Sequence, residues 1–240
     1  MQRITIEPAQ RVENVLRLTN EQNHYLQRVL RLKPGDMFIA QDGKGHQWQS
    51  QLTETPGKAH ILSSLAQSVR PANLELVAAL PKTGFDDVVR QATELGVTNI
   101  QPLLSTRTLL KPSNQKLLRW QRIIQEASEQ CERGYIPKIC SPVTFQDWIT
   151  TVPNSVGNFF CVARVNAPTL LACVQSLLIE SPQLSLRVVI GPEGGWTSEE
   201  ITVALAHGFQ ETSLGSGILR ATTASLAAIS IVSAVREQLI

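Results

Sequence analysis

The sequence predicts an α/β protein with two parts, a small N-terminal part made mostly of β-strands and a larger C-terminal part of alternating strands and helices. In residues 1–70, short stretches of alternating polar and apolar residues lie between turn signals, which is typical of β-structure. Residues 73–240 instead alternate apolar runs with stripes at helical spacing, which indicates a mainly parallel sheet with helices on both faces. The segment Arg70-Pro71-Ala72-Asn73 interrupts both patterns and is the predicted domain boundary.

The composition fits a chain with a substantial core and no membrane anchor. Of its 240 residues 42% are hydrophobic, but no apolar run is long enough to span a bilayer, and the first ten residues lack the apolar stretch of a signal peptide. We therefore expect a soluble cytoplasmic protein. The four cysteines, Cys131, Cys140, Cys161 and Cys173, form no C-x-x-C pair. We therefore expect them to be reduced thiols in the core and not metal ligands.

The formal net charge of +2 is unevenly distributed along the chain. Residues 1–140 carry 18 Lys and Arg against 13 Asp and Glu, whereas residues 141–240 carry four against seven. A basic excess of this kind can mark a face that binds a polyanion such as RNA. Scattered solubilising charge accounts for it equally well, so both interpretations stay open.

Turn and capping signals define the N-terminal elements. Thr19-x-x-Gln22 is a capping box that begins a helix with the apolar positions Tyr25, Leu26, Val29 and Leu30. Pro34-Gly35-Asp36 ends this helix, and Asp42-Gly43-Lys44-Gly45 is a hairpin turn with glycines where the backbone needs positive φ. The predicted strands, enough for a small barrel or sheet, are Arg3–Ile6, Met37–Ala40, Gln47–Leu52 and Ala59–Leu62.

The C-terminal elements alternate between strand and helix along the chain. A helical stripe over residues 85–95 ends at Gly96, and a longer helix is capped by Ser113 and closed by Gly134. A second capping box, Thr197-x-x-Glu200, begins a helix that ends near His207-Gly208, and the last helix spans about Thr223–Gln238. The predicted strands are Leu74–Leu80, Val97–Leu104, Phe159–Ala163 and Arg187–Ile190.

Two glycine loops near the C-terminus carry the strongest functional signal. The first, Gly191-Pro192-Glu193-Gly194-Gly195, follows the apolar run Leu186–Ile190. The second, Leu214-Gly215-Ser216-Gly217-Ile218-Leu219-Arg220, follows the run Phe209–Leu214, and each loop leads into a helix-compatible segment. Because α/β proteins bind small ligands where strands end in glycine turns, the two loops predict one cofactor pocket. Purely structural glycine turns are the alternative.

The residues around these loops favour a neutral or cationic ligand. Neither G-x-G-x-x-G nor the Walker pattern occurs, which excludes the standard dinucleotide and P-loop sites. The next helix begins Thr197-Ser198-Glu199-Glu200, whose carboxylates would repel a phosphate. Ile218 and Leu219, beside free backbone groups, suit an adenine. Arg220 could contact a substrate phosphate or stabilise developing negative charge, or it could make only a salt bridge or a helix-end contact.

Longer motifs resemble a known family. The strings VVIGPEGGWTSEEI and LGSGILRATTASLAAIS resemble the C-terminal signature of the SPOUT RNA methyltransferases, and more narrowly that of the RsmE family, the 16S ribosomal RNA N3-uridine methyltransferases. Matching segments occur upstream in the family's order and cover almost the whole chain. They are His24 with Val29-Leu30-Arg31, Gln91–Val97, Arg107, Arg119-Trp120, Glu126-Ala127-x-x-Gln130 and Ile136-Pro137.

The resemblance implies a fold, a cofactor and partners. Residues 1–70 would form a PUA-like β-barrel that helps to bind RNA, and residues 73–240 a SPOUT α/β domain with a trefoil knot, a rare exception to the rule against knotted chains. Family members are homodimers that use S-adenosylmethionine without a metal and act on 16S ribosomal RNA or the small ribosomal subunit. The implied cofactor-binding residues are Leu80, Ile190, Gly191, Pro192, Gly194, Gly195, Leu214, Gly215, Ile218, Leu219, Thr223 and Ala224.

Arg220 and Glu193 are the candidate catalytic residues. The N3–H group of uridine is only weakly acidic, so its methylation requires that the proton be removed or the uracil anion be stabilised. Arg220 near the base would favour the anion, and Glu193 is the nearest carboxylate for a general base or for orienting work. Alternatively, Glu193 has only a structural role, as a turn residue whose carboxylate pairs with a backbone amide. The candidate RNA contacts are His24, by the resemblance, and Arg28 and Arg31, as phosphate contacts.

The second loop departs from the family pattern L-G-x-R-I-L-R-T-E-T-A. This chain has Gly217 for the first Arg, Ala221 for Thr and Thr222 for Glu, whereas Arg220 and Thr223 match. Any role of that Arg or Glu therefore does not transfer. Two further functions stay open: an RNA-binding homologue without catalytic activity, and a SPOUT methyltransferase that acts on another RNA position, such as a ribose 2′-hydroxyl.

Overall fold

The computed structural model of the chain describes residues 1–109, 112–153 and 157–239. The chain divides into two compact units. The N-terminal unit comprises Met1–Pro71 together with Gln125–Ile136, and the C-terminal unit comprises Ala72–Ile124 together with Pro137–Ile240. A short segment from the second half of the sequence therefore packs as part of the N-terminal unit.

The N-terminal unit is built on a six-stranded sheet. In the order β1-β4-β5-β6-β3-β2, the pair β1–β4 is parallel and the other pairs are antiparallel. The strands are β1 Arg3–Thr5, β2 Arg11–Val12, β3 Val15–Arg17, β4 Met37–Gln41, β5 Gln47–Leu52 and β6 Lys58–Ser64. The predicted β-structure is confirmed, although β2 and β3 were not predicted, because strands of two or three residues are too short for alternation to be recognised.

Asp42 shapes the turn between β4 and β5. Its Oδ1 accepts hydrogen bonds from the backbone N–H groups of Lys44 at 2.7 Å and His46 at 3.1 Å. Gly43 and Gly45 have φ of +67° and +100°, which side chains with a Cβ rarely adopt. The predicted hairpin turn is therefore confirmed, with its register fixed by the pairing of Gln41 with Gln47.

The first helix is shorter than predicted. Helix α1 spans Asn20–His24 and begins at the Thr19 capping box, but the chain continues as one π-helical turn over Tyr25–Val29. The backbone N–H of Leu30 donates to the Tyr25 carbonyl at 2.9 Å, an i to i+5 bond. Leu26 is fully buried, whereas Tyr25 and Val29 are 40% and 58% exposed. The sequence pattern could not reveal this change, since α- and π-helical turns share their apolar residues.

The C-terminal unit contains one entirely parallel sheet. Its order is β10-β8-β7-β12-β11-β13, and β9 also pairs with β8. The strands are β7 Leu74–Ala79, β8 Asn99–Leu104, β9 Lys138–Ile139, β10 Val143–Thr144, β11 Gly157–Cys161, β12 Leu186–Ile190 and β13 Gln210–Thr212. The helices after α1 are α2 Phe85–Glu94, α3 Asn114–Gln130, α4 Phe145–Ile149, α5 Leu170–Glu180, α6 Ser198–Ala206 and α7 Ala221–Gln238, α3 crossing between the two units.

The predicted parallel sheet is confirmed, and the helices that the sequence missed have simple reasons. Helix α5 is apolar on nearly every side (LLACVQSLLIE), so it has no polar face to mark a helical period. Helix α4 is only five residues long. The strand predictions were otherwise correct to within three residues at each end.

Buried polar side chains cross the sheet near the amino ends of its central strands. Arg187 donates from Nε to Glu75 at 2.5 Å and from Nη1 to Asn158 at 2.7 Å, and Asn99 donates to Glu75 at 2.6 Å. These residues are register partners on four neighbouring strands, β11, β12, β7 and β8. The charged groups in this row are paired with one another, so they need no ligand. Ligands of parallel sheets bind at the opposite edge, where the strands have their carboxyl ends.

Candidate functional site

Three loops leave the carboxyl edge of the parallel sheet. Strand β7 ends beside Leu80, β12 ends at Ile190, and β13 ends at Thr212; all three of these residues are buried. Because parallel strands place their carboxyl ends on the same edge, the loop after β7 and both glycine loops emerge on one side of the sheet. We call residues 191–196 the first loop and residues 213–220 the second loop.

The first loop is a tight turn packed on an aromatic core. The backbone N–H of Gly195 donates to the Pro192 carbonyl at 2.8 Å, and Gly195 has a φ of +69°. A Cβ on Gly191 would lie 3.0 Å from the indole ring of Trp196. That ring packs against Phe160, with centroids 4.5 Å apart, and its Nε1 donates to the Cys161 carbonyl at 3.1 Å. The turn therefore needs glycine at 191 because the indole occupies the space of a side chain.

Arg107 and Glu200 tie the first loop to the segment after β8. Arg107 donates from Nη1 to the Gly194 carbonyl at 2.6 Å and to the Trp196 carbonyl at 3.3 Å. Glu200, only 1% exposed, accepts the Thr106 N–H and the Thr197 N–H, each at 2.9 Å. Both contacts join residues more than 80 positions apart in sequence, so they hold the loop rigidly against its neighbour.

The loop after β7 contacts the first loop and the start of α7. The N–H of Lys82 donates to Oε1 of Glu193 in the first loop at 3.0 Å. A Cβ on Gly84 would lie 3.3 Å from Cγ2 of Thr222, in the first turn of α7, just after the second loop. The structure therefore places Leu80 and the two glycine loops at the same edge of the sheet. No hydrogen bond or ion pair joins Glu193 to Arg220 within the described residues.

The second loop is open to solvent. Its one internal tie is at Ser213, whose hydroxyl bonds with the N–H and the carbonyl of Gly215, each at 3.1 Å. Ile218 and Leu219 are 62% and 37% exposed, although both are apolar. Arg220 is the N-cap residue of α7, and its exposed guanidinium has no hydrogen bond or ion pair to any described residue. Apolar side chains and a cation are thus available here to a ligand.

The start of α6 does not form an anion site. The predicted capping box is confirmed, because the Thr197 hydroxyl accepts the Glu200 N–H at 3.2 Å while Glu200 accepts the Thr197 N–H. Hydrogen bonds from its own backbone N–H and from Thr197 hold the pKa of Glu199 below its usual value, so it stays ionised. The positive end of the helix dipole is therefore already compensated, and a phosphate is disfavoured there.

Of the four cysteines predicted to lie in the core, Cys161, near the site, is buried, whereas Cys131, Cys140 and Cys173 are partly exposed, so the prediction is wrong for those three. Complete burial raises the pKa of the Cys161 thiol to about 12, so the group stays protonated at neutral pH. Among the described residues, no group of three or more His, Cys, Asp or Glu side chains could hold a metal ion. No helix in the described part of the chain is both long and apolar enough to cross a membrane.

The three candidate RNA contacts lie together on the N-terminal unit. His24 is the last residue of α1, Arg28 lies in the π-helical turn, and Arg31 follows it with a φ of +58°. All three side chains are exposed, and none makes a hydrogen bond or an ion pair with the described residues. A π-helical turn inside a helix often marks a functional surface.

Sequence reasoning missed the contacts that organise the site. Lys82 and Thr106 act through backbone N–H groups, which leave no signal in the side-chain pattern. Glu200 was interpreted as a helix-dipole residue, whereas one of its carboxylate oxygens also bonds Thr106. The motif that contains Arg107 was the only sequence signal for this side of the first loop.

Two family models match the chain. The model of the RNA methyltransferase domain matches residues 68–233, and the model of the RNA methyltransferase PUA domain matches residues 14–62. The first of these covers more than half of the chain, so the match describes the molecule and not a short motif within it.

Relatives and solved structures agree with these matches. Ribosomal RNA small subunit methyltransferase E of Synechocystis sp. is 45% identical over 98% of this chain and 78% of its own length. The crystal structure of the enzyme with the same name from Neisseria gonorrhoeae, bound to S-adenosyl methionine, superimposes with a TM-score of 0.84 at 30% identity, covering 96% of this chain and 95% of that one. A Legionella pneumophila methyltransferase solved with the same cofactor gives 0.83 at 26%, covering 97% and 96%.

Proposed function

The chain belongs to the RNA methyltransferase family that includes the ribosomal RNA small subunit methyltransferase E proteins, and we propose that it transfers a methyl group from S-adenosylmethionine to N3 of a uridine in 16S ribosomal RNA. The observation that carries this proposal is that three loops leave the same carboxyl edge of the sheet, where the Lys82 N–H donates to Glu193 and Gly84 approaches Thr222 at the start of α7. The S-adenosyl methionine bound to the Neisseria gonorrhoeae relative supports the choice of cofactor.

The residues of the three loops fit this cofactor. Ile218 and Leu219 offer exposed apolar surface to an adenine, and the carboxylates of Glu199 and Glu200 favour a cationic ligand over a phosphate. When bound, the cofactor supplies an electrophilic methyl group on a sulfonium. The residues that we propose to hold it are Leu80, Ile190, Gly191, Pro192, Gly194, Gly195, Leu214, Gly215, Ile218, Leu219, Thr223 and Ala224.

Two side chains are proposed to act on the uridine. Arg220 is unpaired and exposed, so its guanidinium is free to stabilise the negative charge that develops on the uracil when N3 loses its proton. Glu193 is the proposed acceptor of that proton, because the Lys82 N–H orients its carboxylate through Oε1 and leaves Oε2 free. In this proposal the first loop carries the general base, Glu193, and the second loop carries the cation, Arg220.

The N-terminal unit is proposed to deliver the RNA. His24, Arg28 and Arg31 present one imidazole and two cations on the exposed side of the π-helical turn and next to it, a suitable set for phosphate contacts. We propose that residues 1–70 form the RNA-binding domain and residues 73–240 the catalytic domain, that the substrate is 16S ribosomal RNA or the small subunit, and that the protein acts as a homodimer in the cytoplasm, where ribosomes assemble. The trefoil knot stays a prediction of the family resemblance.

Cofactor binding and product chemistry test the proposal together. Calorimetry of the purified chain should detect S-adenosylmethionine at micromolar affinity. Small subunits from a strain that lacks this gene should gain one N3-methyluridine when incubated with protein and cofactor, measured by nucleoside mass spectrometry. A ribose 2′-methylated product, or N3-methyluridine that persists in the deletion strain, would overturn the assignment.

The departures at Gly217 and Thr222 call for a control of their own. The double variant Gly217→Arg, Thr222→Glu restores the family residues at these two positions and leaves Ala221 unchanged. Its activity should stay close to that of the parent, because both positions lie beside residues that already match the pattern. If the parent binds no S-adenosylmethionine and the double variant does, the chain is an RNA-binding homologue that has lost catalysis.

A further inference from the structure

A cavity of about 440 Å³ opens at the rim of the core of the N-terminal unit. Its wall includes Arg11 from β2, Glu13 from the β2–β3 turn, and Asp42, His46 and Trp48 from the β4–β5 hairpin. We propose, building on the function proposed above, that this cavity binds an unpaired base of the RNA substrate and prefers guanine. The volume lies in the range of small-molecule sites, which is large enough for one nucleobase.

The cavity presents flat surfaces on which a base can stack. The Arg11 guanidinium lies over the Trp48 ring with its Cζ 4.7 Å from the ring centroid. The His46 ring is nearly parallel to the same indole, at 16° and 6.2 Å between centroids. Trp48 is only 8% exposed, whereas Arg11 and His46 are exposed. A base would therefore stack on the outer face of the guanidinium or the imidazole, with the indole as their support.

The imidazole is held in place before any ligand arrives. His46 Nδ1 lies 2.7 Å from Oδ2 of Asp42, whose Oδ1 accepts two backbone N–H groups of the same turn. Although partial burial acts to raise it, the hydrogen bonds from Lys44 and His46 hold the pKa of Asp42 below its usual value. The Asp42 carboxylate is therefore committed to the turn, and an oriented ring costs less side-chain entropy on binding.

Glu13 is the acceptor that gives the cavity its preference. Its exposed carboxylate has no hydrogen-bond partner among the described residues, and Arg11 contacts only its backbone carbonyl, at 3.3 Å. A carboxylate accepts hydrogen bonds and donates none, so it pairs with the N1–H and N2–H₂ donors of guanine and is repelled by the two carbonyl oxygens of uracil.

Charge also selects a base over the other RNA groups and over protein. The carboxylates of Glu13 and Asp42 disfavour a phosphate in the same cavity. A lysine or arginine from a protein partner would be repelled by Arg11, whose guanidinium already covers the Trp48 ring. A neutral planar group with hydrogen-bond donors satisfies both constraints.

Binding of single-stranded pentanucleotides to the full chain tests the proposal. The probes are 5′-labelled UUUUU and UUGUU, followed by fluorescence anisotropy at fixed salt concentration. The parent should bind UUGUU roughly tenfold more tightly than UUUUU. Glu13→Gln should remove most of that preference, and Arg11→Met should weaken both probes roughly tenfold. Arg17→Met is the matched control, because Arg17 is exposed on β3 but alternates to the strand face opposite buried Leu16.

Further measurements separate stacking from charge and from misfolding. Arg11→Lys keeps the charge but loses the planar group, so it should behave like Arg11→Met; binding equal to the parent would mean a phosphate contact and overturn the proposal.

Circular dichroism melting and S-adenosylmethionine calorimetry should match the parent in every variant. If the parent does not bind the cofactor, the proposed methyltransferase function is overturned, but the pentanucleotide measurements still test the base site. Equal affinity of the parent for both probes, or stronger binding of a pentalysine peptide that Glu13→Gln weakens, would overturn the base site.

Discussion

The two glycine loops that seem alike in the sequence are held in very different ways. The first loop is fixed from both sides, by Arg107 and Glu200 on one and by the Lys82 N–H on the other, over a packed indole. The second loop is held at its start, where the Ser213 hydroxyl bonds Gly215 and the Ser213 backbone bonds Pro168 and Leu170, and it leaves Ile218, Leu219 and Arg220 exposed. The first loop is therefore preorganised for binding along its length, whereas the second loop exposes apolar side chains and a cation that a bound ligand can cover.

This division suits a transfer reaction with two substrates. A rigid loop places the cofactor and the acceptor carboxylate with little reorganisation. An open loop admits a large RNA and then contributes its cation. If this comparison is correct, substitutions in and around the first loop should change stability and cofactor affinity, and those in the second loop should change the rate of transfer.

The largest effect is expected from Arg220→Met, which removes the cation of the second loop. Its guanidinium has no partner in the described residues, so the free energy of unfolding and the Kd for S-adenosylmethionine should stay unchanged, while kcat falls roughly 100-fold. Single-turnover methyl transfer measures this. A fall in stability instead of in kcat would contradict the open, unpartnered description of the loop.

Glu200→Ala should be the most destabilising change beside the first loop. It leaves the partly buried N–H groups of Thr106 and Thr197 without their carboxylate acceptor, at a cost of about 1–3 kcal/mol in the free energy of unfolding, and it should weaken cofactor binding through the loosened loop. Urea denaturation and calorimetry give the two numbers. Glu199→Ala, in the same helical turn but exposed, is the control and should lower the free energy of unfolding much less than Glu200→Ala does.

Gly191→Ala tests the packing of the first loop directly. The added Cβ would lie 3.0 Å from the Trp196 ring, so overpacking should cost about 1–2 kcal/mol and shift the near-ultraviolet circular dichroism of the indole. An unchanged indole signal and stability would show that the loop gives way, and the contrast between the loops would then disappear.

Two glycines of the second loop form a matched pair. Gly215 has a φ of +121° and Gly217 does not have a positive φ, while a Cβ on either would meet no atom within 4 Å. Alanine should therefore cost about 1 kcal/mol at 215 and less than about 0.5 kcal/mol at 217. Equal costs from thermal melts would mean that the second loop is constrained by contacts and not by its backbone alone.

The smallest effect is expected at the start of α2, just after the loop that contacts the first glycine loop. Although partial burial acts to raise it, hydrogen bonds from Trp120 and Arg119 hold the pKa of Asp86 below its usual value. A carboxyl group whose pKa is lower in the folded protein stabilises the fold at pH values above its pKa in the unfolded chain, about 3.9 for Asp. This stabilisation is lost as the pH falls through the pKa of the group in the folded protein. Asp86→Asn should remove this acid-side loss.

Urea denaturation of parent and variant between neutral and acid pH checks this dependence. The control is Asp87→Asn, whose carboxylate pairs only with Arg90 on the surface, and it should change the acid-side slope less. If both variants flatten the profile equally, the contacts with Trp120 and Arg119 contribute no more than an ordinary surface pair.

Much of the fold was predictable from local patterns. The hairpin turn at Asp42 and the capping boxes at Thr19 and Thr197 depend on residues within a few positions of each other, so local sequence is enough to predict them. The parallel sheet was predictable from the local apolar patterns of its strands and helices, although its strand pairs join distant residues such as Leu74 and Leu186. The two glycine loops were visible for the same reason. The family resemblance, spread over the whole chain, added the domain types and the RNA methyltransferase assignment.

Only the tertiary structure decided which loop is rigid. Arg107 and Lys82 bond the first loop from 87 and 111 positions away, and Thr106 bonds Glu200, just after that loop, from 94 positions away. Two of these contacts involve backbone N–H groups, which every residue type except proline carries. The π-helical turn beyond His24 and the cavity beside Trp48 likewise depend on how strands pack. Local sequence fixes turns and caps because their partners are neighbours; long-range partners are chosen by packing, which a linear pattern does not record.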